Sequence, residues 1–406
     1  MKLNRWIYAI AGVVVLLFAG LIYAWTVLSS PIAESTGWNT GSLSLTFTIA
    51  MSFFCIGGFV GGLVNKKINV RINVWAAAAL FLIGFFIASK ATTLVVLYIG
   101  FGILSGFASG LAYNAVMSTI SKWFPDKQGL ISGILLMGFG LGSFIIGKIY
   151  TAKTPTDGSD AWRTSFMVFG VILFVVLFIG GFFFVKPAPD YKPAGYDGKS
   201  KNKTSKIKKE EGIDVPATVM LRRPAFWFYF VWAIVLSAAG LALVSQARGI
   251  ALEVAPDTNI GTVATVVGLI SIFNGIGRII FGGMYDKVGR KITMLTADFA
   301  FVVFIAVLLL ALTSKSFVIL VIAYILGGLA YSSITPTNSA FINNFYGPTN
   351  FPVNFSMINL NLIIASFSST IAGKLFDATG SYLSTCFMII GLIVVGFITT
   401  FAIRKP

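Results

Sequence analysis

The chain has 406 residues, 57% of them apolar and only 11% charged, with 30 Lys and Arg against 14 Asp and Glu. Soluble domains carry about 25% charged residues, so this composition places most of the chain inside a bilayer. His is absent, which excludes a histidine metal site or proton relay, and Cys55 and Cys386 both lie in apolar runs, which argues against a disulfide framework or zinc site.

Apolar windows of about 20 residues mark membrane helices. They predict twelve, at 6–30, 42–64, 72–90, 93–121, 129–151, 163–185, 225–252, 260–285, 292–312, 316–343, 354–374 and 382–403. The first is too long for the ~7–15-residue core of a signal peptide and no small-residue cleavage site follows, so it reads as a membrane helix. The fourth contains GLAY at 110–113, followed by Asn114; the fifth ends in GKIY at 147–150. Between the sixth and seventh lies a polar stretch, 186–223, that includes GKSKNKTSKIKKEEG. It divides the chain into a six-helix bundle over 1–185, a cytoplasmic linker over 186–223 and a second six-helix bundle over 224–406. GLAY returns at 328–331 in the tenth helix and GKLF at 373–376 in the eleventh, each six helices after its counterpart. Two structural repeats follow, an arrangement in which transporters hold substrate near the bilayer midplane.

The eighth helix holds the most informative residue. Arg278 sits in an otherwise uncharged run, 260–285, several turns from the nearest helix end. A guanidinium stays protonated at physiological pH, and near a bilayer centre it costs at least ~2.5–3.5 kcal/mol on insertion scales. The helix has no acidic neighbour to pair with it. Snorkelling to lipid headgroups or bonding to helix carbonyls is the plain alternative, and its depth argues against snorkelling. An intramembrane site for an anion is the expectation. Asp298 is the one acid well inside a predicted span, nearly two turns or ~9 Å into the ninth helix. A bond to a neighbouring helix is the expected role, with a proton relay as the alternative.

Charge also sets orientation. With both termini inside, 22 of the 30 basic residues fall on the cytoplasmic side, as the positive-inside rule expects. The net charge of +16 is therefore topology and not a nucleic-acid footprint. The basic linker either connects the bundles flexibly or touches anionic lipid headgroups. With no paired carboxylates near a span and no nucleophile motif, an integral-membrane enzyme is disfavoured. A signalling receptor lacks an output domain in the linker.

GGMYDKVGRK at 282–291, between helices eight and nine, looks like the signature loop of the major facilitator superfamily. Its glycines permit a tight turn, and Asp286 can face a neighbouring helix N-terminus; Asp286 and Arg290 are the expected gating residues. The matching loop in the first half, GGLVNKKINVR at 61–71, has Asn65 where the acid is expected. NRWIYAIAGV at 4–13, YAWTVLSSPI at 23–32, SKWFPDKQGLISG at 121–133, LRRPAFWFYF at 221–230 and NGIGRIIFGGMYDKVGR at 274–290 together resemble the oxalate:formate antiporter family, which groups with monocarboxylate transporters. The resemblance implies an all-α fold of twelve helices in two pseudo-symmetric bundles, and exchange or import of small organic anions by alternating access. It implies that Arg278 holds the substrate carboxylate.

Two departures shape the expectation. Members that exchange oxalate carry a lysine in helix eleven; in NFSMINLNLIIAS, 354–366, that position is Leu362, and no Lys or Arg follows until Lys374. One fixed cation suits one carboxylate. The eukaryotic monocarboxylate transporters have an aspartate one turn before the arginine; here it is Asn274, placed to orient the guanidinium. Tyr113 and Tyr331 lie on helices that line the cavity in this superfamily, where a phenol offers a hydrogen bond and a flat wall; packing is their alternative role. Asn114, Asn359 and Tyr23 complete the substrate-binding set, with Leu362 as an apolar wall. Asn359 and Leu362, three apart, share a face of one helix, and Asn361 is expected to bond across helices. The sequence thus predicts a monomeric secondary transporter of lactate, pyruvate or formate type in a bacterial cytoplasmic membrane, without cofactor. A dicarboxylate/monocarboxylate antiporter is the alternative, and a proton is a candidate second partner.

Overall fold

The computed structural model describes residues 4–38, 40–155, 157–188, 191, 193 and 212–404. Most of the basic linker, 194–211, lies outside the described residues. The rest is helical. The first span comprises α1 (Arg5–Ala19), a 3-10 turn (Gly20–Ala24) and α2 (Trp25–Thr36). α3 (Thr40–Lys67) and α4 (Val70–Ser89) are the second and third. The fourth is built from α5 (Leu94–Leu97), a π-helical stretch (Tyr98–Ser105) and α6 (Gly106–Ile120). α7 (Gln128–Lys153) and α8 (Ala161–Gly181) complete the first half.

After a single turn, α9 (Ala217–Met220), the second half continues with α10 (Pro224–Val254) and the 55-residue α11 (Ile260–Ser314). The tenth span is α12 (Phe317–Ser332) plus α13 (Ile334–Tyr346), the eleventh is α14 (Phe351–Asn359) plus α15 (Asn361–Thr379), and α16 (Leu383–Ala402) is the twelfth.

Among the described residues eleven helical stretches are long and apolar enough to cross a membrane. One of them supplies two crossings. At 1.5 Å per residue α11 would run about 82 Å, far beyond a hydrocarbon core of about 30 Å. Gly289 breaks it, with φ 78 and ψ −178, a conformation that side chains other than glycine rarely adopt. The eighth and ninth spans meet at that residue. Side chains such as Phe387, Ile398 and Val318 are exposed on the outside, as a lipid-facing surface requires.

Four spans predicted as continuous helices are interrupted. In the π-stretch the Ser105 hydroxyl donates to the Gly100 carbonyl, five residues back, at 3.0 Å. In the tenth span Ser333 separates α12 from α13, and in the eleventh Leu360, with ψ −17, separates α14 from α15. Both linking residues keep right-handed helical backbone, φ −64 and ψ −29 at Ser333 and φ −61 and ψ −17 at Leu360, so Asn359 and Leu362 stay three residues apart on one helical course.

Two compact units emerge. The first comprises Met1–Asp126, Ile134–Ser200 and Phe355–Met357; the second comprises Lys127–Gly133, Lys201–Asn354 and Ile358–Pro406. In the first, α3 packs on α6 and α4 on α8, around buried Phe85, Phe101 and Phe166. In the second, α10 packs on α15 and α16 and α11 on α12. Tyr229 stacks on Phe341 with centroids 3.7 Å apart and donates to Asn338 Oδ1 at 2.9 Å. The end of the linker is strapped to this unit, since the N–H groups of Ile213 and Val215 donate to the carbonyls of Phe345 and Tyr346.

Candidate functional site

Tyr23 stands on the 3-10 turn of the first span, half-buried, its ring edge-on to Phe47 at 6.2 Å and to Phe139 at 5.4 Å. Tyr113, on α6, is 4% exposed and meets Phe54 and Phe139 at 5.1 Å each and Phe355 at 5.7 Å. These separations fall in the attractive range for aromatic pairs. The first unit thus gathers both tyrosines around the shared Phe139 ring.

Asn114 is the next residue and so points about 100° away. It is 1% exposed, and its Oδ1 accepts from Asn65 Nδ2 at 3.3 Å. Asn65 also reaches Ser118 Oγ at 3.4 Å and accepts from Asn73 at 2.7 Å. A buried amide needs such partners. Where the signature loop of the second half has an acid, the first half has an uncharged amide tied into the bundle.

In the second unit Arg278 is half-buried on α11, next to Gly277, which packs against Ser332 beside Tyr331. Asn274, buried, lies one turn earlier on the same helix. Tyr331 occupies the last turn of α12, just before Ser333. Its ring rests on the bare backbone of Gly240 in α10; a Cβ there would overlap it. With the Gly277–Ser332 contact, this packing brings the seventh and eighth spans against the tenth. Asn359 ends α14 and Leu362 lies in the first turn of α15, both buried.

Asn361 corrects an expectation. It is fully buried, on the face of α15 shared with Ala365, Ser368 and Ala372, and Ser368 donates to Ala238 O of α10 at 2.7 Å. Among the described residues neither polar atom of the Asn361 amide has a hydrogen-bond partner, so it makes no bond across helices there.

The signature loop shows what its acid does. Asp286 Oδ1 accepts from the N–H of Gly129 and Oδ2 from that of Leu130, both at 2.9 Å. These are orphan donors of the first turn of α7, and a carboxylate there also meets the positive end of the helix dipole. The same turns of α7 hold Gln128, which accepts from Asn343 at 2.7 Å, and Ser132, hydrogen-bonded to Ser339 at 2.7 Å. Arg290, buried, lies over Phe345 and donates to Ile403 O at 3.3 Å, so it anchors the chain's end. Asp298, fully buried, accepts from Trp232 Nε1 and Thr400 Oγ1 at 2.8 Å each and binds the ninth span to the seventh and twelfth.

Sequence reasoning passed over Phe54, Phe139, Phe355 and Gly240. The run of small residues SAAG at 237–240 was the available signal for Gly240, since small side chains mark close helix approach. Nothing in the chain distinguishes the three phenylalanines among its 38.

A family model of the Major Facilitator Superfamily matches residues 9–248 and 249–406. The chain is 27% identical over 366 residues to the uncharacterized MFS-type transporter YhjX of Escherichia coli K12, which covers 89% of this chain and 86% of that protein. It is 27% identical over 354 residues to the oxalate:formate antiporter of Oxalobacter formigenes, covering 86% of this chain and 80% of the antiporter. Its fold is similar to the crystal structure of FucP, a transporter of this superfamily in the outward conformation, with TM-score 0.66, 12% identity and coverage of 98% of this chain and 99% of FucP. With a family model matching both halves and the helices crossing as described, the chain is a multi-pass membrane transporter that belongs to the Major Facilitator Superfamily.

Proposed function

We propose that this transporter carries small monocarboxylates of the lactate, pyruvate or formate class by alternating access. Arg278 carries the argument. It is a single half-buried guanidinium on the eighth span, beside the Gly277–Ser332 contact with the span that carries Tyr331, and one guanidinium forms a bidentate pair with one carboxylate. Leu362 supports the same reading, since it puts an apolar side chain where an oxalate carrier would need a second cation.

In this reading Arg278 pairs with the carboxylate, oriented by Asn274. Tyr113, Asn114, Tyr331 and Asn359 supply hydrogen bonds, and Tyr23 and Leu362 provide walls for a short aliphatic end. Residues 1–185 and 224–406 rock as two bundles joined by the 186–223 linker, with Asp286 and Arg290 at the gating loop. The working unit is a monomer in a bacterial cytoplasmic membrane with both termini inside. The chemistry is ion pairing and desolvation; no bond is made or broken.

A second reading, exchange of a dicarboxylate for a monocarboxylate, is favoured by the 27% identity to a protein named as an oxalate:formate antiporter. Uptake of labelled lactate, formate and oxalate into proteoliposomes separates the two. Removing one partner of a buried ion pair costs about 3–5 kcal/mol, so Arg278→Ala should lower monocarboxylate flux by about a hundredfold or more. Stimulation by an imposed pH gradient identifies a proton as the coupled ion. Flux unchanged in the mutant, or flux that requires oxalate preloaded on the opposite side, refutes the monocarboxylate reading.

A further inference from the structure

Three cations gather at the end of the first unit that also carries the start of α1. Arg71 begins α4, Lys122 lies in the 3-10 turn after α6, and Lys186 follows α8. The segment leaving α8 holds them together. Phe182 O accepts from Arg71 Nη2 at 3.1 Å, Val185 O accepts from Trp123 Nε1 at 2.8 Å, and Lys186 Nζ donates to Asn65 O at 3.0 Å. Lys122, half-buried, is close enough to Lys186 for the two ammonium groups to repel each other. Among the described residues, none of the three cations forms an ion pair.

Holding like charges together without a counter-charge is unfavourable, and it becomes favourable when an anion occupies the space. The guanidinium of Arg71 commits one of its five N–H donors to the chain, and the Lys122 ammonium commits none among the described residues. The surroundings point to the kind of anion. Ile68, Ile72, Phe182 and Val185 are exposed apolar side chains at the same level, and Trp75, which donates to Phe178 O at 3.0 Å, sits among them as an interfacial aromatic. A free inorganic anion has no use for an apolar rim, whereas a phospholipid presents a phosphate above acyl chains. A zwitterionic lipid brings its own cation to the cluster, so a net anionic headgroup fits better.

We propose that Arg71, Lys122 and Lys186 form a binding site for the phosphate of an anionic phospholipid. The site is separate from the Arg278 chemistry and stands whether or not the transported substrate is a monocarboxylate.

The test is native mass spectrometry of the delipidated full chain in detergent, offered equal amounts of phosphatidylglycerol and phosphatidylcholine. Wild type should retain phosphatidylglycerol in preference. Each basic residue near an anionic surface is worth about fivefold in binding, so Lys122→Gln with Lys186→Gln should weaken retention about twenty-five-fold. Lys122→Arg with Lys186→Arg keeps the charge and should retain the lipid. Lys148→Gln with Lys153→Gln, at the far end of the bundle, should change nothing. Equal retention of both lipids by wild type overturns the proposal even if the Gln variant does not fold. Retention of phosphatidylglycerol by a folded Gln variant also overturns it. Competition by millimolar inorganic phosphate as strong as that by phosphatidylglycerol shows a free-anion site instead of a lipid site.

Discussion

Replacing Asp286 with Asn tests the signature loop at its two contacts with the start of α7. The carboxylate takes one backbone N–H on each oxygen, from Gly129 and Leu130, at 2.9 Å apiece. Hydrogen bonds to a charged group are worth about 1.5–3 kcal/mol each, against about 0.5–1.5 kcal/mol between neutral groups. The amide of Asn keeps one acceptor of the neutral kind and turns an N–H toward the other donor, so one bond is lost and the other weakened. The helix-dipole attraction disappears as well. The total is about 2–4 kcal/mol of local stability. Hydrogen exchange of the peptide covering 127–133 reads this directly, because protection follows the free energy of local opening. About 2 kcal/mol corresponds to thirtyfold, so exchange at Gly129 and Leu130 should accelerate by at least about thirtyfold while α16 stays unchanged. Unchanged protection of 127–133 in the Asn variant would refute the assignment of Asp286 as the cap of α7.

Gly240→Ala drives a methyl into the Tyr331 ring. Overpacking of this kind costs about 1–3 kcal/mol, so the thermal transition should fall and the uptake KM should rise; unchanged melting and uptake would place Tyr331 elsewhere. At Gly289 a Cβ meets no neighbouring atom, so Gly289→Ala isolates the conformational cost of φ 78. That cost is about 1–3 kcal/mol, visible as a lower thermal transition, and an unchanged transition would mean the eighth and ninth spans do not turn there. Asn361→Leu removes a buried amide that has no partner and should raise the thermal transition, by up to about 1–3 kcal/mol of stability. A lowered transition would reveal a partner for the amide.

The membrane helices were legible from sequence because a bilayer imposes one demand, apolar length, that a window along the chain can measure. Arg278 was legible because a charge in such a window stands out, and Asp286 because an acid beside a helix start has a dipole to meet. Gly289 belonged to a readable motif, and the structure gives it the only break inside α11. The interruption at Ser333 also had a trace, since Pro336 has no N–H to give the Ser332 carbonyl, whereas Leu360 has neither Gly nor Pro beside it.

The same distinction divides the candidate site. Composition and spacing named Tyr113, Asn114 and Asn361 as polar or aromatic groups in apolar helices, but they could not say what each would meet. The fold turned Tyr113 into a nest of three phenylalanines, gave Asn114 an amide partner from Asn65, and left Asn361 with none. The sequence by itself determined how many times the chain crosses the membrane and which residue places a guanidinium inside a span, since both are properties of single segments measured against lipid. The tertiary structure alone decided which side chains share a surface, because a hydrogen bond or ring contact depends on the distance between two helices and not on the composition of either.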